Sequence, residues 1–210
     1  YGLGQLGEVE GKIYSNWAFI DEIPHEAKLE RYGLDFGFSV DPPATVAIYY
    51  YEGGYIVDEI AYQKGLSNKQ IADIFLSIDK SIVIADSADP KSIDEIKTYG
   101  VTILPSLKGK DSVRRGVSHV QSQRMSVTNR SLNVIKEYRN YMWMKAKDGS
   151  LVSPNVPEGI WNHTMDAIRY AMENIKPVYK PPKPLDPHEK ILNQIQRNHV
   201  YDDDVLGNYV

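Results

Sequence analysis

Three aspartates are the residues of this sequence whose surroundings best suit them to chemistry. Asp35 lies in the run GLDFG, Asp86 ends the apolar run IVIAD, and Asp166 ends the run NHTMD. An ionised carboxylate is costly to bury beside apolar residues unless it is paired or bound to a metal ion. We therefore expect each aspartate to have a compensating partner. His163 lies three residues before Asp166, so the two share a face if this segment is helical.

Carboxylates that converge on one place repel one another, and a divalent cation turns that repulsion into binding. Mg²⁺ or Mn²⁺ suits oxygen ligands best. Two such ions about 3.5–4 Å apart stabilise the attacking and leaving oxygens of a phosphodiester during in-line displacement. If the three aspartates meet, they therefore predict a metal-dependent nuclease in which a metal-activated water attacks the phosphate.

Each of these residues also has a structural explanation when it is taken alone. Asp35 or Asp86 could cap the next helix or form a turn, Asp166 could be a solvated helix residue, and His163 could be a satisfied, partly buried histidine. Asp89, in the run SADP, is typical of a helix N-cap. The functional interpretation depends on their joint appearance.

The charge of the chain is unevenly distributed. The formal net charge is −4, yet the segment from Pro105 to Lys147 holds ten basic residues and only two acidic ones. A basic stretch in an otherwise acidic protein can face a polyanion such as nucleic acid. An ordinary solvated face is the alternative, and composition alone does not separate the two.

Composition excludes several classes of protein. With 42% hydrophobic and 25% charged residues, the chain is typical of a globular protein with one sizeable core. The absence of cysteine excludes disulfides, thiolate zinc sites and a cysteine nucleophile. No apolar run approaches the roughly 18 residues that a bilayer requires, and we expect no membrane association. The first residue is Tyr1 rather than Met, so we expect the chain to come from a longer polypeptide.

Hydrophobic patterning predicts the elements that position the aspartates. Residues 31–40 and 44–51 are rich in β-branched and aromatic residues and residues 55–63 alternate, which predicts three sequential antiparallel strands. The apolar runs SIVIAD and VTIL predict buried parallel strands. Helices are predicted after Ser67, after Pro90, over 112–121, near LNVIKEYRN and over 158–175, with further extended pieces at MSVT and YMWMKA. The order favours an α/β mixed sheet with helices on its faces and ligands at the carboxyl ends of central strands.

The chain divides into three predicted regions: an entry segment or linker over 1–30, a core domain over 31–176 and a proline-rich tail over 177–210. Two familiar motifs are not functional here. Gly2-x-Gly4-x-x-Gly7 lacks the preceding strand of a dinucleotide site. The kinase-like tripeptide DFG at Asp35 has too little chain before it for the other kinase motifs.

Four segments together resemble one known family: YGLDFGFSVDPPA, IVIADSADPKSIDEIKTYG, LKGKDSVRRGVSHVQ and NHTMDAIRYAM. They resemble the C-terminal nuclease domain of the large terminase subunit of tailed bacteriophages. The resemblance implies an RNase H-like fold over 31–176 and a metal-dependent endonuclease that cuts concatemeric double-stranded DNA, with little sequence preference, to start and end packaging.

The resemblance also assigns roles to residues. Asp35, Asp86 and Asp166 match the acidic metal ligands, for two Mg²⁺ or Mn²⁺ ions during catalysis, and His163 is a candidate for orienting water or moving a proton. Glu59 is only a positional guess for a further ligand. The basic residues predicted to contact DNA phosphates are Lys108, Lys110, Arg114, Arg115 and Arg124.

Several partners follow from the resemblance as expectations. They are double-stranded DNA, an N-terminal ATPase domain of the same polypeptide, a small terminase subunit and a portal or procapsid, all in the host cytoplasm. No GxxxxGK[ST] motif occurs in these 210 residues, so we expect no ATP hydrolysis by this chain alone.

Two other functions stay open at this point. The same fold would suit a Holliday-junction resolvase or an integrase-like strand transferase. A non-catalytic module that docks to DNA or to a portal ring would use its aspartates only as caps and turns.

Overall fold

The computed structural model of the protein describes residues 11–37, 41–147, 149–150, 157, 159 and 161–175. Its strands are β1 (Ala18–Ile20), β2 (Lys28–Asp35), β3 (Ala44–Tyr51), β4 (Gly54–Tyr62), β5 (Val83–Ala85), β6 (Ile103–Pro105) and β7 (Met125–Thr128). Its helices are α1 (Asn68–Ser77), α2 (Pro90–Thr98), α3 (Ser112–Gln121), α4 (Leu132–Asn140) and α5 (His163–Met172). In this part of the chain, no helix is both long enough and apolar enough to cross a membrane.

One mixed sheet carries all of these strands in the order β1-β7-β4-β3-β2-β5-β6. β3 pairs antiparallel with β2 and β4, whereas every other neighbouring pair is parallel. The carboxyl ends of the remaining strands therefore meet at one edge of the sheet, as the sequence predicted for the central strands.

Pairing of β2 with β5 brings the first two aspartates to that edge. Leu34 of β2 lies opposite Ala85 of β5, so the residues that come next after them, Asp35 and Asp86, are adjacent. Val83–Ala85 is fully buried because helices cover both faces of the sheet, which explains its continuous apolar sequence.

The two faces of the sheet carry different helices. α1 and α2 pack over Leu34 and Tyr32, whereas α3, α4 and α5 pack over the other face. Because side chains alternate along a strand, Gly33 and Asp35 point away from Leu34 and towards the α5 side. Alternation along β2 thus decides which helix meets Asp35.

The segment before β2 belongs to the core in the described part of the chain, which differs from the expectation of a linker over 1–30. Ile13, Tyr14 and Trp17 are buried, and Trp17 stacks on Tyr138 of α4 at 4.8 Å between ring centroids. β1 also extends the sheet beside β7. The sequence shows no periodicity here because these contacts are made by single aromatic side chains to residues far along the chain. Residues 1–10 and the predicted tail over 177–210 lie outside the described residues.

Two predicted elements need correction. Among the described residues, the predicted strand YMWMKA pairs only through single bridges, from Met142 to Lys12 and from Trp143 to Pro157. The helix predicted over 158–175 is confirmed only as α5, which begins at His163 and ends at Met172.

Candidate metal centre

A glycine in β2 allows α5 to lie directly on the sheet. A Cβ atom built at Gly33 would lie 1.9 Å from the carbonyl oxygen of Ala167, a distance that real Cβ atoms essentially never show. Only glycine therefore permits this approach. Asp35 follows two residues later on the same face, so the approach also brings the first turn of α5 against it.

His163, the first residue of α5, contacts Asp35 directly. His163 Nδ1 lies 3.0 Å from Asp35 Oδ2, and Asp35 is only 9% exposed. Burial raises the pKa of the Asp35 carboxyl, and the hydrogen bond to His163 partly offsets that rise. The same hydrogen bond to Asp35 raises the pKa of His163. Asp41, between β2 and β3, has its Oδ1 3.9 Å from His163 Nε2.

Asp166 lies one turn into α5 and is held by two neighbours. Its Oδ1 accepts hydrogen bonds from Arg169 Nε at 3.2 Å and Nη2 at 3.0 Å, and its Oδ2 accepts one from Asn162 Nδ2 at 3.0 Å. Burial is the main cause that raises the pKa of Asp166, and the charge of Asp86 adds to it. Arg169 is 8% exposed, so it is a buried counter-ion.

Asp86 completes the cluster from the end of β5. Its amide donates to the carbonyl of Leu34 at 2.9 Å, and its Oδ1 accepts from the amide of Ala88 at 2.9 Å. The negative charges of Asp166 and Asp86 both act to raise the pKa of Asp35. The structure therefore brings together all four residues that the sequence singled out for the site, from β2, the end of β5 and α5.

The donor set of this cluster suits a hard divalent ion. Asp35 Oδ1 and Asp86 Oδ2 make no hydrogen bond to any residue that the structure describes. Within the described ranges, no group of three or more histidine, aspartate or glutamate side chains is arranged so that it could hold a metal ion. Asp35 and Asp166 are instead held by protein donors, His163 and Arg169. Incompletely bonded, crowded carboxylate oxygens are the ligands that Mg²⁺ and Mn²⁺ prefer.

Glu137 supports the cluster and was not found by sequence analysis. It is 1% exposed, and its Oε2 accepts from the amide and the hydroxyl of Thr164, both at 2.6 Å. Its Oε1 accepts from the hydroxyl of Tyr62 at 3.0 Å. Asn162 makes no side-chain cap to this helix, so a carboxylate from α4 satisfies the first turn of α5 instead. The only sequence signal was an acid at a position of α4 that faces the core.

Two other acidic candidates are structural. Glu59 accepts from the amides of Asn133 and Val134 at 2.8 and 3.1 Å, and thereby caps α4. Its other oxygen accepts from the Asn133 side chain at 2.6 Å. The guess that Glu59 is a further metal ligand is therefore not supported. Asp89 accepts from the amide of Ser92 at 3.1 Å, which confirms it as the N-cap of α2.

The predicted DNA-contacting residues fall into two places. Lys108 and Lys110 lie on the exposed segment that follows β6, at the same sheet edge as Asp86, and Arg114 and Arg115 are exposed on α3. Arg124 instead lies at the opposite edge, where its guanidinium donates to the carbonyl of Glu52 in the β3–β4 turn. The structure thus places Arg124 apart from the other four.

This mixed sheet, with its helices on both faces, is the RNase H-like fold of terminase nuclease domains. Residues 35–174 match the sequence model of the family described as the terminase RNase H-like domain, and the chain belongs to this family.

Individual relatives agree with this membership. The chain is 36% identical over 185 residues to the large terminase subunit of Bacillus phage SPP1, a match that covers 80% of this chain and 43% of that protein. It is 27% identical over 157 residues to the PBSX phage terminase large subunit of Bacillus subtilis, covering 69% of this chain and 34% of that protein. The chain therefore spans less than half the length of these two relatives.

Solved structures show the same similarity. The crystal structure of the SPP1 large terminase nuclease domain with bound Mn matches with a TM-score of 0.65 and 29% identity, covering 76% of this chain and 97% of that one. The large terminase nuclease of thermophilic phage G20c with bound magnesium matches in fold, with a TM-score of 0.59 at 16% identity over 79% of this chain and 98% of that one.

Proposed function

We propose that this chain is the metal-dependent endonuclease domain of a viral DNA-packaging terminase. The observation that carries the proposal is the meeting of Asp35, Asp86 and Asp166, from three separate elements, at the carboxyl edge of the sheet. The proposal is supported by family membership and by the relatives whose nuclease structures contain Mn and magnesium.

In the proposed mechanism, Asp35 and Asp86 flank the metal site and Asp166 completes it. A bound divalent ion, or two during catalysis, would supply an activated water and stabilise charge on the phosphate. The chain's own contribution is to hold these oxygens in place: α5 rests on Gly33, and Glu137 fixes its first turn. His163 orients the Asp35 carboxylate through their hydrogen bond and is placed to exchange a proton at Nδ1.

DNA would approach along the basic surface beside this edge. Lys108, Lys110, Arg114 and Arg115 are exposed there, and phosphate contacts from such residues position the duplex without reading its bases. Cutting should therefore show little sequence preference and fall steeply as salt is raised. Arg124, at the opposite edge, would contact DNA only if the duplex wraps around the domain.

The wider biological role rests on the longer relatives. We propose that the domain cuts concatemeric double-stranded DNA to initiate and end packaging in the host cytoplasm. It would act with an N-terminal ATPase domain of the same polypeptide, a small terminase subunit and a portal or procapsid. The large terminase subunits that it matches are more than twice the length of the matched region.

The direct test is cleavage of supercoiled plasmid. We expect nicked and linear products with Mn²⁺ or Mg²⁺ and none with EDTA, and Asp86→Asn should abolish them. The matched control is Asp89→Asn, because asparagine also caps helices and should leave cutting intact. Full activity of Asp86→Asn would contradict the proposed site.

Two further measurements address the other candidate functions. Millimolar Mn²⁺ should raise the melting temperature, since an ion present at a hundred times its Kd stabilises the folded state by about 2.7 kcal/mol. A non-catalytic docking module would show no such shift. Preferential cutting of four-way junctions over linear duplex would indicate a resolvase instead.

A further inference from the structure

An open cavity of about 270 Å³ lies between α3 and the second half of α5, outside the carboxylate cluster. Its lining includes two arginines, Arg115 of α3 and Arg169 of α5, together with His119 and one acid, Glu173. The Glu173 carboxylate already accepts from the amide of Leu107 at 2.7 Å through Oε2. The cavity therefore has more cationic than anionic groups in its wall.

Arg169 connects this cavity to the carboxylate cluster. The side chain is nine-tenths buried, and its Nε and Nη2 both donate to Asp166 Oδ1. Its Nη1 makes no hydrogen bond to the described residues. The Arg169 guanidinium thus binds Asp166, a proposed metal ligand, through Nε and Nη2, and Arg169 also lines the open cavity.

The position of Arg169 is built into the packing of the two helices. A Cβ atom at Gly116 of α3 would lie 2.5 Å from Cγ and 2.7 Å from Cδ of Arg169. The aliphatic part of the Arg169 side chain can therefore pass between α3 and α5 only because residue 116 has no side chain. A nearby polar atom, His119 Nε2, is buried without a hydrogen-bond partner among the described residues, a state that costs about 1–3 kcal/mol.

From these observations we infer that the cavity between α3 and α5 binds a tetrahedral oxyanion of the phosphate class, and that Arg169 couples its binding to divalent-ion binding at Asp166. Arg115 and Arg169 Nη1 supply the positive charge, and guanidinium groups suit phosphate oxygens in geometry as well as charge. The inference rests on the proposed function, because it takes Asp166 to be a metal ligand. Within that function, the natural oxyanion is a phosphodiester of DNA lying along α3.

The sign of the coupling follows from electrostatics. An oxyanion beside Arg169 shares the positive charge that otherwise holds Asp166, so the Asp166 carboxylate becomes easier for a divalent cation to recruit. The oxyanion and the metal ion therefore favour each other's binding. By linkage, each must raise the affinity of the other by the same factor, and such factors are typically about 5–150. DNA contact at α3 would thus strengthen metal binding when substrate is present.

The test measures Mn²⁺ binding to the whole chain by titration calorimetry, with and without sulfate at constant ionic strength. Sulfate is the probe because it is a tetrahedral dianion that does not precipitate Mn²⁺. We expect sulfate to lower the Kd for Mn²⁺ by about fivefold or more. Arg115→Ala should remove this effect, whereas Lys91→Ala, an exposed charge on α2, should keep it. An unchanged Kd in the wild type, or an equal effect in Arg115→Ala, would overturn the inference.

A second arm identifies the source of the oxyanion. The titration is repeated with a saturating, cleavage-resistant phosphorothioate duplex. Loss of the sulfate effect in its presence assigns the cavity to the DNA backbone, and an additive sulfate effect assigns it to a free anion; both support the site. If Mn²⁺-dependent nicking is intact but sulfate has no effect, only this inference fails. If Mn²⁺ does not bind at all, the proposed function fails with it.

Discussion

Two groups of acidic residues lie on either side of β3 in the same sheet, and they differ in how their carboxylate oxygens are hydrogen-bonded. Asp35 and Asp86, two of the proposed metal ligands, each have one carboxylate oxygen without a hydrogen bond among the described residues, whereas the third, Asp166, is bonded at both oxygens by Arg169 and Asn162. The structural acids, Asp58 and Glu59 of β4, have partners for every carboxylate oxygen.

The bonding of Asp58 makes the contrast concrete. It is 2% exposed, and its Oδ1 accepts from Thr128 Oγ1 at 2.7 Å and Arg130 Nε at 2.8 Å. Its Oδ2 accepts from Arg130 Nη2 at 2.6 Å. Burial of a carboxylate therefore does not identify a functional site. Asp35 differs from Asp58 because it is buried while one of its oxygens makes no hydrogen bond to the described residues, and such an oxygen is available to a cation from outside the chain.

The largest expected effect is a difference in nuclease activity between variants of the two groups of acidic residues. Asp35→Asn should lower plasmid nicking in Mn²⁺ by at least about a hundredfold, since a lost metal ligand removes several kcal/mol of transition-state stabilisation. Asp58 is also buried and Asp58→Asn is an equally conservative substitution, yet this variant should nick plasmid at close to the wild-type rate. Equal losses in the two variants would mean that the two groups do not differ in function.

Stability should show the reverse order. Asp58→Ala leaves Thr128 and Arg130 without their shared acceptor and should lower the free energy of unfolding by about 1–3 kcal/mol. Asp35→Asn should be neutral or stabilising in EDTA, because it removes a charge that burial disfavours. Urea unfolding in EDTA measures both. A marked loss of stability in Asp35→Asn would indicate a structural acid.

A smaller effect separates two glutamates that cap helices. Glu59→Gln and Glu137→Gln each weaken the bonding of a helix N-terminus, at α4 and α5 respectively, so each should cost about 0.5–2 kcal/mol. Only Glu137→Gln should also lower nicking and weaken the Mn²⁺-induced rise in melting temperature, because α5 carries His163 and Asp166. Nicking at the wild-type rate at a temperature where Glu137→Gln is fully folded would show that α5 needs no such support.

The smallest effect is a pH dependence of the metal-free protein. The pKa of His163 is raised by its hydrogen bond to Asp35 above the ordinary value of 6.5. A raised pKa contributes stability that is fully present below pH 6.5 and is lost as pH rises through the raised pKa. In EDTA, melting temperature should therefore decline over that range, and the decline should be shallower in His163→Gln. Identical profiles for the two proteins would remove His163 from the explanation.

Sequence patterning predicted most of the scaffold for identifiable reasons. The β-branched and aromatic content of β3, the alternation along β4, the apolar run of β5 and the caps at Ser67 and Asp89 are local signals, and these elements formed where they indicated. The strand predicted over 31–40 instead begins at Lys28 and ends at Asp35. The predictions failed where partners lie far apart in the chain. Trp17, for example, joins the core through Tyr138, which lies 121 residues further along the chain.

The sequence predicted the acidic residues and the histidine of the candidate site, but not the residues that hold them in place. Asp35, Asp86 and Asp166 stand out because carboxylates interrupt apolar runs, and His163 shares the face of Asp166. Glu137 and Arg169 carry no comparable signal, since an acid and a base on amphipathic helices are ordinary residues. Only packing shows that Glu137 caps another helix and that Arg169 reaches between α3 and α5.

The sequence by itself determined where carboxylates end apolar runs and which segments form strands and helices, because residue type and hydrophobic period are local properties. That β2 and β5 are neighbours is known only from the sheet. The tertiary structure alone decided which acids stay incompletely bonded. The bonding of each carboxylate depends on the close approach of α5 to Gly33. It also depends on whether an arginine, an amide or a hydroxyl of another element lies within hydrogen-bond distance of each oxygen. Hydrogen bonds between distant segments follow from packing, which no local pattern encodes.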